Sequence, residues 1–213
     1  MPARPLTILQ LTHQGGGSGS TVAIATLSRQ LARRGHRVLI GCRPGTMLAG
    51  LTADAGLELV PLDFRRLGPL AASLGDVMAR EGVDVANSNA TRDRRALTWL
   101  RWRRRLPRAF VVTRHTMPLT LTPELVAVAL SADRTIAVSP AVARALRRRL
   151  HPRARLRVAP NGIDCDRVDA PPSAADVAAA RAARWCWCWR AARTSTSCSR
   201  ASRPCSGPSW SRA

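Results

Sequence analysis

The sequence predicts an α/β domain over residues 1–180: a doubly wound parallel sheet with helices on both faces. Three observations carry that expectation. Short runs rich in Leu, Ile and Val alternate with segments of helical periodicity, which implies parallel strands joined by crossover helices. A glycine-rich turn stands between the first run and the first helix. The unusual polar residues fall just after the strands, where open α/β sheets bind ligands.

Leu6–Leu11 (Leu-Thr-Ile-Leu-Gln-Leu) reads as a buried first strand, followed by Gly15-Gly16-Gly17-Ser18-Gly19-Ser20. From Thr21 to Arg34, Val22, Ala25, Leu27 and Leu31 form one helical face, and Gly35 ends the helix where glycine is favoured. Arg37–Cys42 is the second strand and Leu57–Leu62 the third. Leu67–Arg80 is a helix that stops near Gly82, and Val83–Ala86 a short strand leading into Asn87-Ser88-Asn89. Arg92–Arg105 reads as a helix with a basic end, Ala109–Thr113 as a strand, Pro123–Ser131 as a short helix and Arg134–Val138 as a strand. Ser139-Pro140 opens a helix through Arg149, with Ser as N-cap and Pro at the first position. Arg157–Ala159 is the last strand, before Pro160-Asn161-Gly162-Ile163-Asp164.

The last part of the chain, residues 181–213, is different in kind. From Trp185 onward there is no Val, Ile, Leu, Met or Phe, and no Asp, Glu, Asn, Gln or His. Without aliphatic side chains such a segment builds neither a core nor a periodic face, so it is expected to be disordered. The genetic code supplies a reason. Trp185-Cys-Trp-Cys-Trp189 is encoded by TGG-TGC-TGG-TGC-TGG, which from the third base reads Val-Leu-Val-Leu, a buried strand. A frameshift near residue 180 is the expectation.

The formal charge of +21 comes from arginine, as the chain contains no lysine. With Ala, Gly and Pro abundant, part of this excess reflects GC-rich codons, yet so large a charge still attracts anionic surfaces. Basic clusters at Arg101–Arg105, Arg147–Arg149 and Arg153, Arg155 and Arg157 are read first as solvated helix faces and second as attachment to anionic lipid. Nucleic acid is the least favoured partner, because aromatic residues are too few for base stacking. The six cysteines show no metal-ligand spacing, which disfavours a zinc or redox site. No apolar run approaches the roughly 20 residues of a membrane span, and the first ten residues do not resemble a secretory signal. A cytoplasmic protein is expected.

The glycine turn opens a helix, whose N-terminal N–H groups suit an anion. The dinucleotide pattern Gly-x-Gly-x-x-Gly fails at Ser20, and no acid ends the second strand, where Cys42-Arg43 stand. An NADP reading through Arg43 is weak for that reason, and a Walker lysine is impossible. A tight structural turn is the plain alternative. Thr113-Arg114-His115-Thr116 places a histidine at the end of a central strand, where it can hold a substrate hydroxyl or phosphate; a solvated loop histidine is the alternative.

Four segments then occur in order: Leu-Gln-Leu-Thr-His-Gln-Gly-Gly-Gly-Ser-Gly-Ser from Leu9, Val-Val-Thr-Arg-His-Thr from Val111, Ile-Ala-Val-Ser-Pro-Ala-Val from Ile136 and Val-Ala-Pro-Asn-Gly-Ile-Asp from Val158. Together they resemble the N-terminal, Rossmann-like domain of glycosyltransferase family 4, a GT-B fold, over residues 5 to about 180. The resemblance implies transfer of a sugar from a nucleotide-diphosphate sugar to a hydroxyl acceptor, glycan or lipid-linked, with retention of configuration and with no cofactor or metal. It places Gly16, Gly17 and Ser18 by the donor, His115 with Arg114 at the acceptor–donor junction, Asn87 and Ser88 in the acceptor site and Asn161 near the hinge. Many relatives carry a histidine where Asn87-Ser88-Asn89 stands. The donor-binding second domain is not encoded in this frame, so the chain alone is expected to be inactive. A non-catalytic basic α/β module that binds anionic lipid or nucleic acid is the rival reading.

Overall fold

A computed structural model describes residues 4–104, 106, 109–118, 122–162, 174, 175, 177 and 178. The disorder expected of residues 181–213 lies outside the described residues. The chain divides into two units, residues 1–164 and 165–213. In the second, residues 174, 175, 177 and 178 are helical.

In the first unit, β1 (Thr7–Leu11), β2 (Arg37–Cys42), β3 (Glu58–Pro61), β4 (Val85–Ser88), β5 (Ala109–Arg114), β6 (Arg134–Ala137) and β7 (Leu156–Val158) form one sheet. Every pairing is parallel and the spatial order is β3-β2-β1-β4-β5-β6-β7. The helices are α1 (Gly19–Arg33), α2 (Met47–Asp54), α3 (Leu67–Arg80), α4 (Thr91–Trp102), α5 (Pro123–Ser131) and α6 (Pro140–Arg147). The chain winds outward from β1 to β3, returns to β4 and winds outward the other way. That reversal puts the topological switch point between β1 and β4, as in Rossmann-like sheets.

Parallel strands are buried on both faces, so alternate residues feed two cores. Leu9, Leu11, Leu39, Ala86, Phe110 and Val112 pack beneath α3 and α4. Val38, Ile40 and Cys42 of β2 pack on the other face against Ile24 and Ala25 of α1 and Leu48 and Ala49 of α2. A third cluster joins Leu125 of α5, Ala137 of β6, Val142, Ala143 and Leu146 of α6, and Leu156 of β7. Each fully buried aliphatic or aromatic side chain contributes roughly 1.5–3 kcal/mol. The helix starts follow from side-chain chemistry: Ser18, Thr46, Thr122 and Ser139 each cap a helix by accepting a backbone N–H three residues on.

The expected strands are all present; β2 has the expected bounds and the others differ by one or two residues at one end or both. Helix α2 is the element that the periodicity does not indicate. It is eight residues long with Gly50 inside it, and its support is the Thr46 cap and the burial of Leu48 and Ala49 against β2. Helices α4 and α6 end sooner than their arginine-rich sequence suggests. After α4, Arg104 takes a φ of 55°, and after α6, Leu150 takes a φ of 61°. Among the described residues no helix is long and apolar enough to cross a membrane.

Candidate functional site

At the carboxyl ends of β1, β4 and β5, three neighbouring strands place Gln10, Asn87 and Thr113 side by side. All three are at least 94% buried, so each polar atom needs a partner. Thr113 Oγ1 donates to Asn87 Oδ1 (3.0 Å), and Asn87 Nδ2 donates to Gln10 Oε1 (2.8 Å). Asn89 Nδ2 donates to the same Gln10 oxygen (3.3 Å) and to the Leu11 carbonyl (3.1 Å). A backbone carbonyl only accepts, so this last bond fixes which end of the Asn89 amide is oxygen. That oxygen lies 3.2 Å from His115 Nε2. The imidazole nitrogen must therefore donate, which leaves Nδ1 as the lone-pair acceptor. Nδ1 is buried and has no hydrogen-bond partner among the described residues. Burial, with Arg94 nearby, lowers the His115 pKa below its usual value, so the ring is neutral at neutral pH.

A second network stands behind β4, because side chains alternate along a strand and Ser88 points opposite to Asn87. Ser88 Oγ donates to Asp93 Oδ2 at 2.7 Å, and the backbone N–H groups of Asn89 and Ala90 donate to the same oxygen at 2.9 Å each. The other oxygen of Asp93 lies 3.3 Å from His13 Nδ1. Asp93 is fully buried at the third position of α4, so one carboxylate caps the helix and closes the strand-to-helix turn. It also ties the end of β1 to the start of α4.

The glycine turn divides by role. A Cβ at Gly15 would stand 2.5 Å from Thr46 Oγ1 and 2.7 Å from its Cβ, so internal packing demands glycine there. A Cβ at Gly16 or Gly19 would meet nothing within 4 Å, and at Gly17 only Met47 Sδ at 3.8 Å. None of these four has a left-handed φ. Gly16, Gly17 and Ser18 are exposed at the N-terminus of α1, where the first N–H groups have no intrahelical acceptor. Thr21 Oγ1 holds the loop by donating to the Gly16 carbonyl at 2.6 Å.

Arg114, the last residue of β5, shares a cavity of about 200 Å³ with Arg94 of α4. The structure therefore brings Asn87 and His115 into one network. It sets Ser88 in the adjoining one, Arg114 on the α4–α5 side, and Gly16, Gly17 and Ser18 at the end of the neighbouring strand. Asn161 is exposed beyond β7, two strands away from β5 in the sheet. Asn89 belongs to the Asn87-Ser88-Asn89 segment that the sequence singles out, whereas Gln10, His13, Asp93 and Arg94 are not indicated as site residues by the sequence. An acid three residues after Ala90, at the opening of a helix, is a signal that could have found Asp93. Gln10, His13 and Arg94 carry no such signal, since what they meet depends on how the strands and α4 assemble.

The model of glycosyltransferase family 4 matches residues 17–167. Comparison with curated protein sequences finds no match. Among solved structures, Anabaena HepE in complex with UDP and glucose superposes with a TM-score of 0.64 at 18% identity, covering 78% of this chain and 47% of that one. A glycosyltransferase from Rickettsia africae gives 0.58 at 17%, covering 91% and 51%. Sucrose-phosphate synthase from Thermosynechococcus elongatus gives 0.58 at 16%, covering 76% and 49%. The chain thus spans about half the length of the structures it matches. The identities are low and speak for the fold, while the family match covers most of the described domain: the chain belongs to glycosyltransferase family 4.

Proposed function

We propose that this chain is the acceptor-side half of a retaining glycosyltransferase that moves a sugar from a nucleotide-diphosphate donor to a hydroxyl acceptor in cell-surface glycan or glycolipid synthesis. The observation that carries the reading is His115, a neutral imidazole at the switch-point end of β5 with its tautomer set by Asn89. Such a ring carries no charge that would compete for the diphosphate, and with Nδ1 buried a substrate hydroxyl meets it at Nε2 by sharing or replacing the Asn89 contact. The open ground at Gly16 and Gly17 supports the same reading, since neither packing nor backbone conformation accounts for glycine there. In this reading the α1 N-terminus faces the donor phosphates, Asn87 and Ser88 hold Asn89 and the α4 turn in place, and Asn161 lies near the hinge to a second domain. The enzyme works in the cytoplasm, at the inner face of the membrane where a lipid-linked acceptor is met.

Stabilisation of the leaving diphosphate needs preorganised positive groups on its far side, and in this family those stand on the second domain. In this reading the domain of residues 1–164 transfers no sugar by itself. The test is to sequence the gene across codons 175–195 and express the frame it establishes. A corrected two-domain product should release nucleoside diphosphate from a nucleotide sugar, and His115→Ala should lower its kcat/KM by about 100-fold. Sugar transfer by the 213-residue chain itself, or a corrected product with no transfer to any hydroxyl, would sink the proposal.

A further inference from the structure

Behind His115, between the starts of α4 and α5, basic side chains outnumber the acceptors available to them. Arg94 is 93% buried, and its Nε has no hydrogen-bond partner among the described residues. Its one bond there runs from Nη2 to Thr91 Oγ1, at 3.1 Å. Arg114 has its Nε buried and unpartnered as well. Both line the cavity of about 200 Å³ together with Thr91, Thr122, Glu124 and an apolar floor that includes Val128. That space is several times the roughly 30 Å³ occupied by one water in the liquid.

Glu124 attracts both guanidiniums through its charge but accepts no hydrogen bond from either among the described residues. Glu124 Oε2 is engaged by Arg95, at 2.6 Å from Nη2 and 2.8 Å from Nε. Asp93 is committed to Ser88, two backbone N–H groups and His13. The hydroxyl of Thr122 serves as the α5 cap by accepting the Leu125 N–H. Two like charges in a low-dielectric site disfavour one another. Accordingly burial and the neighbouring Arg94 push the Arg114 pKa down to about 10. A buried cation pair of this kind, lacking acceptors but furnished with a cavity, is complementary to a bound anion.

The geometry points to an anion subsite in which Arg94 and Arg114 take a phosphoryl group, and, resting on the glycosyl-transfer reading, that group belongs to the acceptor whose hydroxyl is presented at His115. Planar guanidiniums offer paired N–H donors that match phosphoryl oxygens. The chemistry is shared by a small phosphomonoester and by the phosphate of a lipid.

The test uses the 213-residue chain with 15N-labelled arginine. Inorganic phosphate is titrated at constant ionic strength while the Nε–H resonances of Arg94 and Arg114 are followed. Both should move in one saturable step, with acetate far weaker. Arg114→Gln should raise the phosphate Kd by about tenfold or more, and Arg114→Lys, which keeps the charge but loses the fork, should fall between. Thermal unfolding of each variant checks that it is folded. Competition by glycerol phosphate identifies a small phosphorylated acceptor; retention on phosphatidic acid vesicles that is lost in Arg114→Gln identifies a lipid phosphate. Resonances that stay still, or an unchanged Kd in Arg114→Gln, would mean that water satisfies these nitrogens, and the subsite falls. Sugar transfer by the corrected gene is scored separately. Transfer without a phosphate response removes the subsite alone, and a phosphate response without transfer removes the glycosyl-transfer reading and the acceptor assignment with it.

Discussion

Asp93 shows how one buried side chain organises the centre of the domain. Its two oxygens collect a hydroxyl, two backbone N–H groups and a histidine nitrogen, and it has no contact with solvent. Asp93→Ala would leave those donors unpaired, and we expect a loss of about 2–4 kcal/mol in a denaturant titration. Asp93→Asn, which keeps one acceptor oxygen, should lose less. His151 makes a different prediction. It is 95% buried, and neither ring nitrogen has a partner among the described residues. Burial first, then Arg114 and Arg155, push its pKa from 6.5 to about 4. The folded state thus favours the neutral ring, whereas the unfolded chain takes up a proton near pH 6.5. Stability from this group is full above pH 6.5 and is lost as pH falls from 6.5 toward 4. The unfolding midpoint should therefore fall more steeply with acidification in the parent chain than in His151→Gln; equal slopes would show that another group titrates there.

Among the elements, the junction of β1, α1 and α2 carries the clearest mechanical constraint. The Gly15 carbonyl accepts the Leu48 N–H at 3.1 Å, and Thr46 caps α2 directly against Gly15. Gly15→Ala must displace Thr46 at its Cβ, not merely at a flexible tip, and should cost about 1–3 kcal/mol. Gly16→Ala, in open space, should leave the unfolding midpoint nearly unchanged, and similar losses for both would refute this division of the loop. The loop could be read from the sequence as a turn, but which glycine serves packing could not. That distinction lies in Thr46, on an element whose periodicity is too short to announce itself. The strands, by contrast, were legible: Leu9, Leu39, Phe110 and Val112 belong to apolar runs that are buried wherever the sheet is placed. Ser139-Pro140 likewise named the start of α6 correctly, because cap chemistry is local.

Taken whole, the molecule carries a net charge of +21 over 213 residues. The arginines are not uniformly free. Arg101 donates to the Ser131 carbonyl, Arg103 lies 4.1 Å over the Trp99 ring, and Arg155 donates to the Leu130 carbonyl at 2.7 Å. On α6 and just beyond it, Arg144, Arg147 and Arg148 are exposed. The chain should be retained on anionic lipid vesicles at low ionic strength and released near 1 M salt, where the Debye length falls to about 3 Å. Equal retention on neutral vesicles would rule out charge as the cause.

By itself the sequence determined the family, the alternation of strands and helices, and where the strands end to within two residues. Hydrophobic runs, caps and turn residues act over a few positions, so a linear reading reaches them. It also placed His115 at the end of β5. Only the tertiary structure decided what that histidine faces. Parallel register brought Gln10, Asn87, Asn89 and Thr113 into one hydrogen-bonded chain, and the packing of α4 on the sheet put Arg94 on the same cavity as Arg114 at the end of β5. Residues that are dozens of positions apart share a site because the sheet is ordered by crossovers, and no local pattern records which strand will lie next to which.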